Sequence, residues 1–404
     1  TPVAPSVDDY TTLFQIAEDG VYVLPGTAGT DNAAIGDGSV SIGDVDNDGD
    51  LDVVLAGADG TGRFTAVYLN DGTGVFTDAG ASLTEVSEDA ATALGDVNGD
   101  GTLDLFITGD EGTEAGARLY TNEIVDGKLV FTEDASASFA ALIQGQARFF
   151  DADGDDDLDL LVTGLENSND YRAYLYVNQG PGDEGTFELS DNGGTFSLAN
   201  TVQRGSVGIA DFDGEDGLDI VLTGQGFSDR GTTLLLNDGS GVFEVSGQSF
   251  LGLSLWSSTS VADVDGNGSS DLFITGYYAP NDFRARLYAN NGTGVFTDVT
   301  ASKASDVVGV QESASALGDI DLDGDMDLIV AGREQIGSGG FIRLYLNDGD
   351  GNFSLEDDGT SLYGTLKGTI DLFDADGDTD LDLLVTGLRG STPSTILHIN
   401  TLFD

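Results

Sequence analysis

Seven copies of an acidic nine-residue loop, a short apolar run ending in glycine after each copy, and the absence of any 3.6-residue periodicity predict an all-β fold. The predicted architecture is a seven-bladed β-propeller with four-stranded antiparallel blades, closed by an N-terminal strand that completes the last blade. The copies begin "GDVDNDGDLDVVLAG" at Gly43 and "GDVNGDGTLDLFITG" at Gly95, and end with "FDADGDTDLDLLVTG" at Phe373. Their first aspartates are Asp44, Asp96, Asp151, Asp211, Asp263, Asp319 and Asp374, a period of 52 to 60 residues.

Each unit reads as four strands in order. A small-residue run such as "ATAL" (91–94) enters the acidic loop, and a run such as "LDLFITG" leaves it, too short for a helix and bounded by glycine. A third strand follows ("RLYTN", "AYLYVN", "RLYAN", "RLYLN"), then an Asn-Asp-Gly or Asn-Gly turn that tolerates positive φ, then a fourth strand such as "VFTD". The last repeat stops after its third strand, "ILHIN" (396–400), while an orphan strand, "TLFQIA" (12–17), precedes the first loop. Pairing the two would close the ring and remove an open edge. Residues 12–404 are then the propeller, and 1–11 a tail or linker.

Composition narrows the function. Among 404 residues, 72 acids against 14 bases leave a formal charge of −58, which disfavours nucleic acid and anionic membrane surfaces as partners. Hydrophobic residues make up 39% and fall in patterned runs, so the chain reads as folded despite its charge. No run of 18 apolar residues predicts membrane insertion. The opening "TPVAPSVDDY" lacks a signal-peptide profile, and cysteine is absent.

In "DVDNDGDLD" the carboxylates of Asp44, Asp46 and Asp48 (positions 1, 3 and 5) point into a tight loop, and Asp52 (position 9) reaches back from the next strand. Two carboxylates about 5 Å apart repel by roughly 3 kcal/mol at an effective dielectric near 20, so a bound cation is expected. Oxygen donors in this number suit calcium. Position 7 varies through Asp50, Thr102, Asp157, Gly217, Ser269, Asp325 and Asp380, as a backbone-carbonyl ligand would permit. Position 8 is apolar in every loop but one (Leu51, Leu103, Leu158, Leu218, Met326, Leu381; Ser270 is the exception) and is expected to anchor the loop to its blade.

On these motifs the chain resembles the FG-GAP or VCBS-type repeat family, similar to the calcium-binding blades of integrin α-subunit propellers and to bacterial surface proteins, over residues 12–404. The resemblance implies up to seven structural calcium ions, one between the first and second strands of each blade. It implies Asp96, Asn98, Asp100 and Asp104 as ligands in blade 2, and Asp151, Asp153, Asp155 and Asp159 in blade 3. In blades 6 and 7 it implies Asp319, Asp321, Asp323, Asp327 and Asp374, Asp376, Asp378, Asp382. Blade 4 departs with Glu215 beside Asp211, Asp213 and Asp219, and blade 5 with Asn267 beside Asp263, Asp265 and Asp271, so both are expected to be weaker sites. At position 6, Thr379 is a poor residue for positive φ, and that loop is expected to turn at Gly377 instead.

Strand polarity puts the remaining loops on the opposite face, where scarce cations and aromatics gather: Arg63, Tyr171, Arg172, Phe227, Arg230, Tyr277, Tyr278, Phe283, Arg284, Arg333 and Arg389. Seven residues before each first aspartate the units diverge, as Asp37, Asp89, Gln144, Arg204, Trp256, Glu312 and Lys367. Six residue types at one position of seven repeats suggest an individually shaped binding surface for a protein or glycan. Arg118, Arg286 and Arg343 are expected to pair with nearby acids, and His398, the single histidine, to pack where other third strands carry tyrosine.

The leading expectation is a secreted or surface-displayed calcium-binding propeller for adhesion or recognition, not an enzyme. A polysaccharide lyase or hydrolase on the same scaffold is the alternative, although one histidine and no cysteine remove most nucleophile–base pairs. A scaffold module of a larger surface protein is the third. Of the 72 acids, 32 lie in the seven loops and 40 do not, an excess that a salt-rich setting would screen.

Overall fold

The run after each ninth-position aspartate is apolar on both faces, as a strand in the middle of a packed sheet requires. Asp52–Ala58 and Asp104–Asp110 are buried from their first residue to their sixth. The computed structural model describes residues 14–15, 34–87, 89–167, 170–180, 186–190, 203–215, 217–225, 230–357, 362 and 364–400. Seven four-stranded antiparallel sheets form the ring, six of them in simple sequential order from the inner strand outward. In blade 1 the strands are Gly36–Gly43, Asp52–Ala58, Arg63–Asn70 and Phe76–Asp78.

Register is set at the acidic loop. In every blade the residue before the first aspartate pairs with the ninth-position aspartate: Gly43 with Asp52, Gly95 with Asp104, and so on to Phe373 with Asp382. The last blade holds Ile370–Phe373, Asp382–Arg389 and Thr392–Asn400, and its fourth strand is Phe14–Gln15, with Phe14 opposite Asn400. The expected closure by the N-terminal strand is therefore present. The proposed tail, 1–11, lies outside the described residues. One helical turn, Thr300–Lys303, interrupts the all-β pattern after the fourth strand of blade 5.

The core lies between blades. Each of seven apolar clusters joins two neighbours, as where Val54, Ala56 and Val67 of blade 1 meet Leu105, Ile107 and Tyr120 of blade 2. The position-8 leucines take part, with a difference from expectation: they reach the preceding blade as well as their own. A side chain on Gly43 would strike Leu103, one on Gly95 would strike Leu158, and one on Gly318 would strike Leu381. Burial between repeats is what makes a single blade unstable alone and the ring stable together.

Candidate functional site: acidic loops and the opposite mouth

The acidic loop is organised by its first and ninth aspartates. Asp44 accepts hydrogen bonds from the backbone N–H of Asp48 and Gly49, each at 3.0 Å. Asp52 accepts from Val45 N through Oδ2 at 2.9 Å and from Asn70 N through Oδ1 at 2.8 Å. All seven ninth-position aspartates make this same pair of contacts, and all are buried. Burial is the main force on their protonation. It pushes Asp52, Asp104, Asp219 and Asp271 up to about 6, against the pull of the two N–H donors. Asp159, Asp327 and Asp382 are pushed to about 7 by the same cause.

The loops gather carboxylates as a cation site would. One oxygen each from Asp151, Asp153 and Asp159 lies within 4.8 Å of the others, as do those of Asp211, Asp213, Asp219; Asp263, Asp265, Asp271; Asp319, Asp321, Asp327; and Asp44, Asp46, Asp48. Opposite ligands of a calcium ion stand roughly 4.6–5.2 Å apart, so the span fits, and an all-oxygen donor set suits a hard cation over zinc or copper. Buried carboxylate oxygens of Asp46, Asp153 and Asp319, and both of Asp380, lack hydrogen-bond partners among the described residues. Blades 4 and 5, despite Glu215 and Asn267, bring together aspartates at the same three loop positions as blades 3 and 6 do.

At position 7, Asp50, Asp157 and Asp325 lean over the glycines of their own outer turns (Gly72, Gly180, Gly349), whereas the side chain of Asp380 is fully buried. One detail differs from the sequence reading. Thr379 does adopt positive φ, 83°, as well as Gly377 at 81°. The loop needs left-handed backbone at positions 4 and 6 together, seen as Gly99 and Gly101 in blade 2 and as Leu322 and Gly324 in blade 6. A β-branched residue there is strained. Thr379→Gly should raise stability by about 1 kcal/mol in urea unfolding; an unchanged or lower midpoint would show the strain to be relieved elsewhere.

The feature that sequence reasoning missed is the role of the asparagine at or near the end of each third strand. Asn290 donates from Nδ2 to Phe212 O of the preceding blade at 2.8 Å and to Ser270 O of its own at 3.1 Å. Asn70, Asn122, Asn178, Asn237, Asn347 and Asn400 each reach the preceding blade's loop in the same way, to Ala375, Val45, Val97, Ala152, Val264 and Ile320. The "N" of "NDGTG" and its kin is thus an inter-blade latch, and the glycines supply the positive φ of the turn (Gly72 at 75°, Gly292 at 78°). Recurrence of Asn 18 to 20 residues after the ninth-position aspartate in all seven units was the available signal.

On the opposite face, Asp37, Asp89, Gln144, Arg204, Trp256, Glu312 and Lys367 ring the mouth of the central channel, beside a cavity of about 220 Å³. All seven have left-handed backbone, φ between 48° and 64°. Their peptides hydrogen-bond around the axis: Asp89 N to Asp37 O, Gln144 N to Asp89 O, Arg204 N to Gln144 O, Trp256 N to Arg204 O and Asp37 N to Lys367 O. Because the backbone makes the ring, the side chains are free to differ. Arg204 pairs with Asp89 at 3.2 Å and lies over the Trp256 indole, 4.5 Å from its centre. Lys367 pairs with Asp37 at 3.1 Å and approaches the same indole at 5.2 Å. Deeper in the channel are Arg148 and Asp371; burial, offset by Thr369 and Arg148, pushes Asp371 up to about 6.

The other candidates sit outside this ring. Arg333 pairs with Glu312 at 2.5 Å, and Arg172 with Asp170 at 2.7 Å beside Tyr171. In blade 5, Tyr277 packs on Phe283 and Arg284 lies over Tyr278 while pairing with Asp282. Phe227 lies outside the described residues, and of Arg230 only the backbone is described. Arg118, Arg286 and Arg343 pair with Glu111, Asp298 and Glu334 as expected. His398 is buried opposite Leu383, in the register Tyr120 holds opposite Leu105, and burial pushes it down to about 4.

Fold and loops together define a seven-bladed propeller whose repeats carry acidic clusters able to hold a metal ion. The chain belongs to the FG-GAP-like repeat family, whose model matches residues 44–107, 96–162, 263–330 and 319–385. It is similar to cartilage acidic protein 1 of Xenopus tropicalis (23% identity, 88% of this chain, 49% of that protein) and of Mus musculus (23%, 86%, 47%). The chain spans about half the length of the curated relatives it matches. A crystal structure of a Lactobacillus plantarum protein aligns over 86% of this chain and 96% of that one, at 16% identity and a TM-score of 0.47, too loose a likeness to bear on function. Among the described residues no helix is long and apolar enough to cross a membrane.

Proposed function

We propose that this protein is an extracellular or cell-surface binding module, not an enzyme: calcium in the acidic loops, up to seven ions, holds the ring rigid, and the opposite face recognises a protein or glycan. The ring at the mouth carries the reading. Left-handed backbone costs a residue other than glycine, asparagine or aspartate about 1 kcal/mol or more, and five of the seven are such residues. The chain has 59 glycines, yet none stands at these seven positions. Backbone geometry alone would favour glycine, so the side chains themselves are what these positions retain.

Buried donors at the mouth, Trp256 Nε1 and Arg204 Nε, lack acceptors among the described residues, which suits a ligand rich in acceptor oxygens. For the metal, the oxygen-only donor set and its span support calcium. Seven ions would bring −58 to −44 (7 × 2 = 14). Calcium is plentiful outside cells, where modules of modest affinity fill. The shared acidity of the cartilage acidic proteins' name agrees with such a setting.

Arrays of glycans and matrix proteins, probed in calcium, test the reading with Trp256→Gly and Arg204→Ala. Trp256→Gly should abolish binding of the identified ligand while leaving the melting midpoint unlowered, since it relieves a strained backbone. Full binding by both variants would refute the role of the mouth. Release of products from the arrayed polysaccharides would point to catalysis instead.

A further inference from the structure

A second concavity opens on the same face, between the second-to-third turn of blade 1 and the loops of blade 2. It measures about 570 Å³, within the range of small-ligand sites, and Arg63, Thr61, Ser87, Asp89, Asp110 and Ile143 line it. Arg63 is exposed and, among the described residues, has no ion pair, although the chain carries 72 acids. The reason is that its acidic neighbours are engaged elsewhere. Asp59 takes the N–H groups of Thr61 at 2.7 Å and Gly62 at 2.8 Å. Asp110 takes Gly112 N at 2.7 Å and the Ser87 hydroxyl at 3.2 Å. Asp89 takes Gln144 at 2.7 Å and Arg204 at 3.2 Å. The guanidinium lies across the groove against Gly112, where any side chain would collide with it.

We infer that this groove binds an acidic saccharide, with Arg63 taking the carboxylate of a uronate and the free lone pairs of Asp89 and Asp110 accepting sugar hydroxyls. A planar five-donor fork is matched to a carboxylate, which can accept two parallel N–H bonds. The lining holds hydroxyls and acceptors but only Ala58 and Ile143 as apolar groups, and so lacks the deep apolar pocket that anchors a protein partner. Asp89 lines both the groove and the mouth, so the two adjoin. The inference rests on the reading of this face as the recognition face and adds the ligand class.

Titration calorimetry of the calcium-loaded chain with a galacturonate trisaccharide and with its methyl ester tests it. The acid should bind, and both the ester and the Arg63→Ala variant should bind roughly 10- to 100-fold more weakly. Arg63 is exposed, so an unchanged melting midpoint is expected to show that the variant folds. Equal affinity of acid and ester, or of wild type and Arg63→Ala, would overturn the inference. So would Arg63-dependent binding of a glutamate-rich peptide with no saccharide binding. If the trisaccharide fails while an array ligand still depends on Trp256, the groove assignment falls and the recognition face stands.

Discussion

Stripping divalent cations near pH 7.5 is expected to lower the melting midpoint by roughly 20 °C, while the same treatment near pH 5 changes it little. The size follows from mass action. An ion at a hundred times its dissociation constant adds about 2.7 kcal/mol to the folded state, so five sites add about 13 kcal/mol, as much as the whole stability of an ordinary domain. At about 1.5 °C per kcal/mol for a chain this large, that is the stated shift. The pH dependence comes from the ninth-position aspartates. Without metal they titrate at about 6 or 7 in the fold, against roughly 3.9 when unfolded. Raised carboxylate values mean the folded state holds more protons between those limits. Their contribution to metal-free stability is full below about pH 4 and disappears as pH climbs through 6 to 7. Calcium must displace those protons, so its benefit shrinks on acidification. Metal-free protein should thus melt higher near pH 5 than near pH 7.5, and calcium-loaded protein the reverse. Parallel pH curves with and without calcium, read by calorimetry, would rule out these aspartates as the metal's anchor.

The second large effect is expected at the asparagine latch. Asn290→Asp should cost about 4 kcal/mol and Asn290→Ala about 3 kcal/mol, measured by urea unfolding in saturating calcium. Alanine strands the Phe212 and Ser270 carbonyls that Nδ2 now satisfies. Aspartate is worse because it sets a carboxylate against those same oxygens at a site only 2% exposed. The control is one residue away. Asn291 is exposed, caps the turn through Thr293, and is replaced by Asp71, Asp238 and Asp348 in other blades. Asn291→Asp should therefore stay within about 0.5 kcal/mol of wild type. If both asparagines tolerated aspartate equally, each would be an ordinary turn former and the latch would carry no load.

The contrast between those two neighbours shows where sequence reasoning reached and where it stopped. Read along the chain, both are turn residues before glycine, and the prediction of a turn was correct. What separates them is the partner of one side chain, and that partner is 78 residues away. The mouth tells the same story: Arg204, Trp256 and Lys367 were legible as parts of one varied surface, but not as two cations drawn from separate blades onto a single indole. Thr379 marks the opposite error, a local rule that the loop overrode, since positions 4 and 6 must both turn left-handed whatever residue stands there.

The amino-acid order by itself determined the blade count, the strand order, the closure by residues near the N-terminus and the carboxylate-rich turns. The strands and turns are carried by spacings shorter than one repeat and copied seven times, and the closure by the one strand that the last copy lacks and the N-terminus supplies. Only the closed ring decided which groups meet across blades: the latch, the peptide girdle at the mouth, and Arg63 above its groove, without an ion pair among the described residues. Those contacts depend on the curvature summed over seven sheets, a quantity that no single repeat contains.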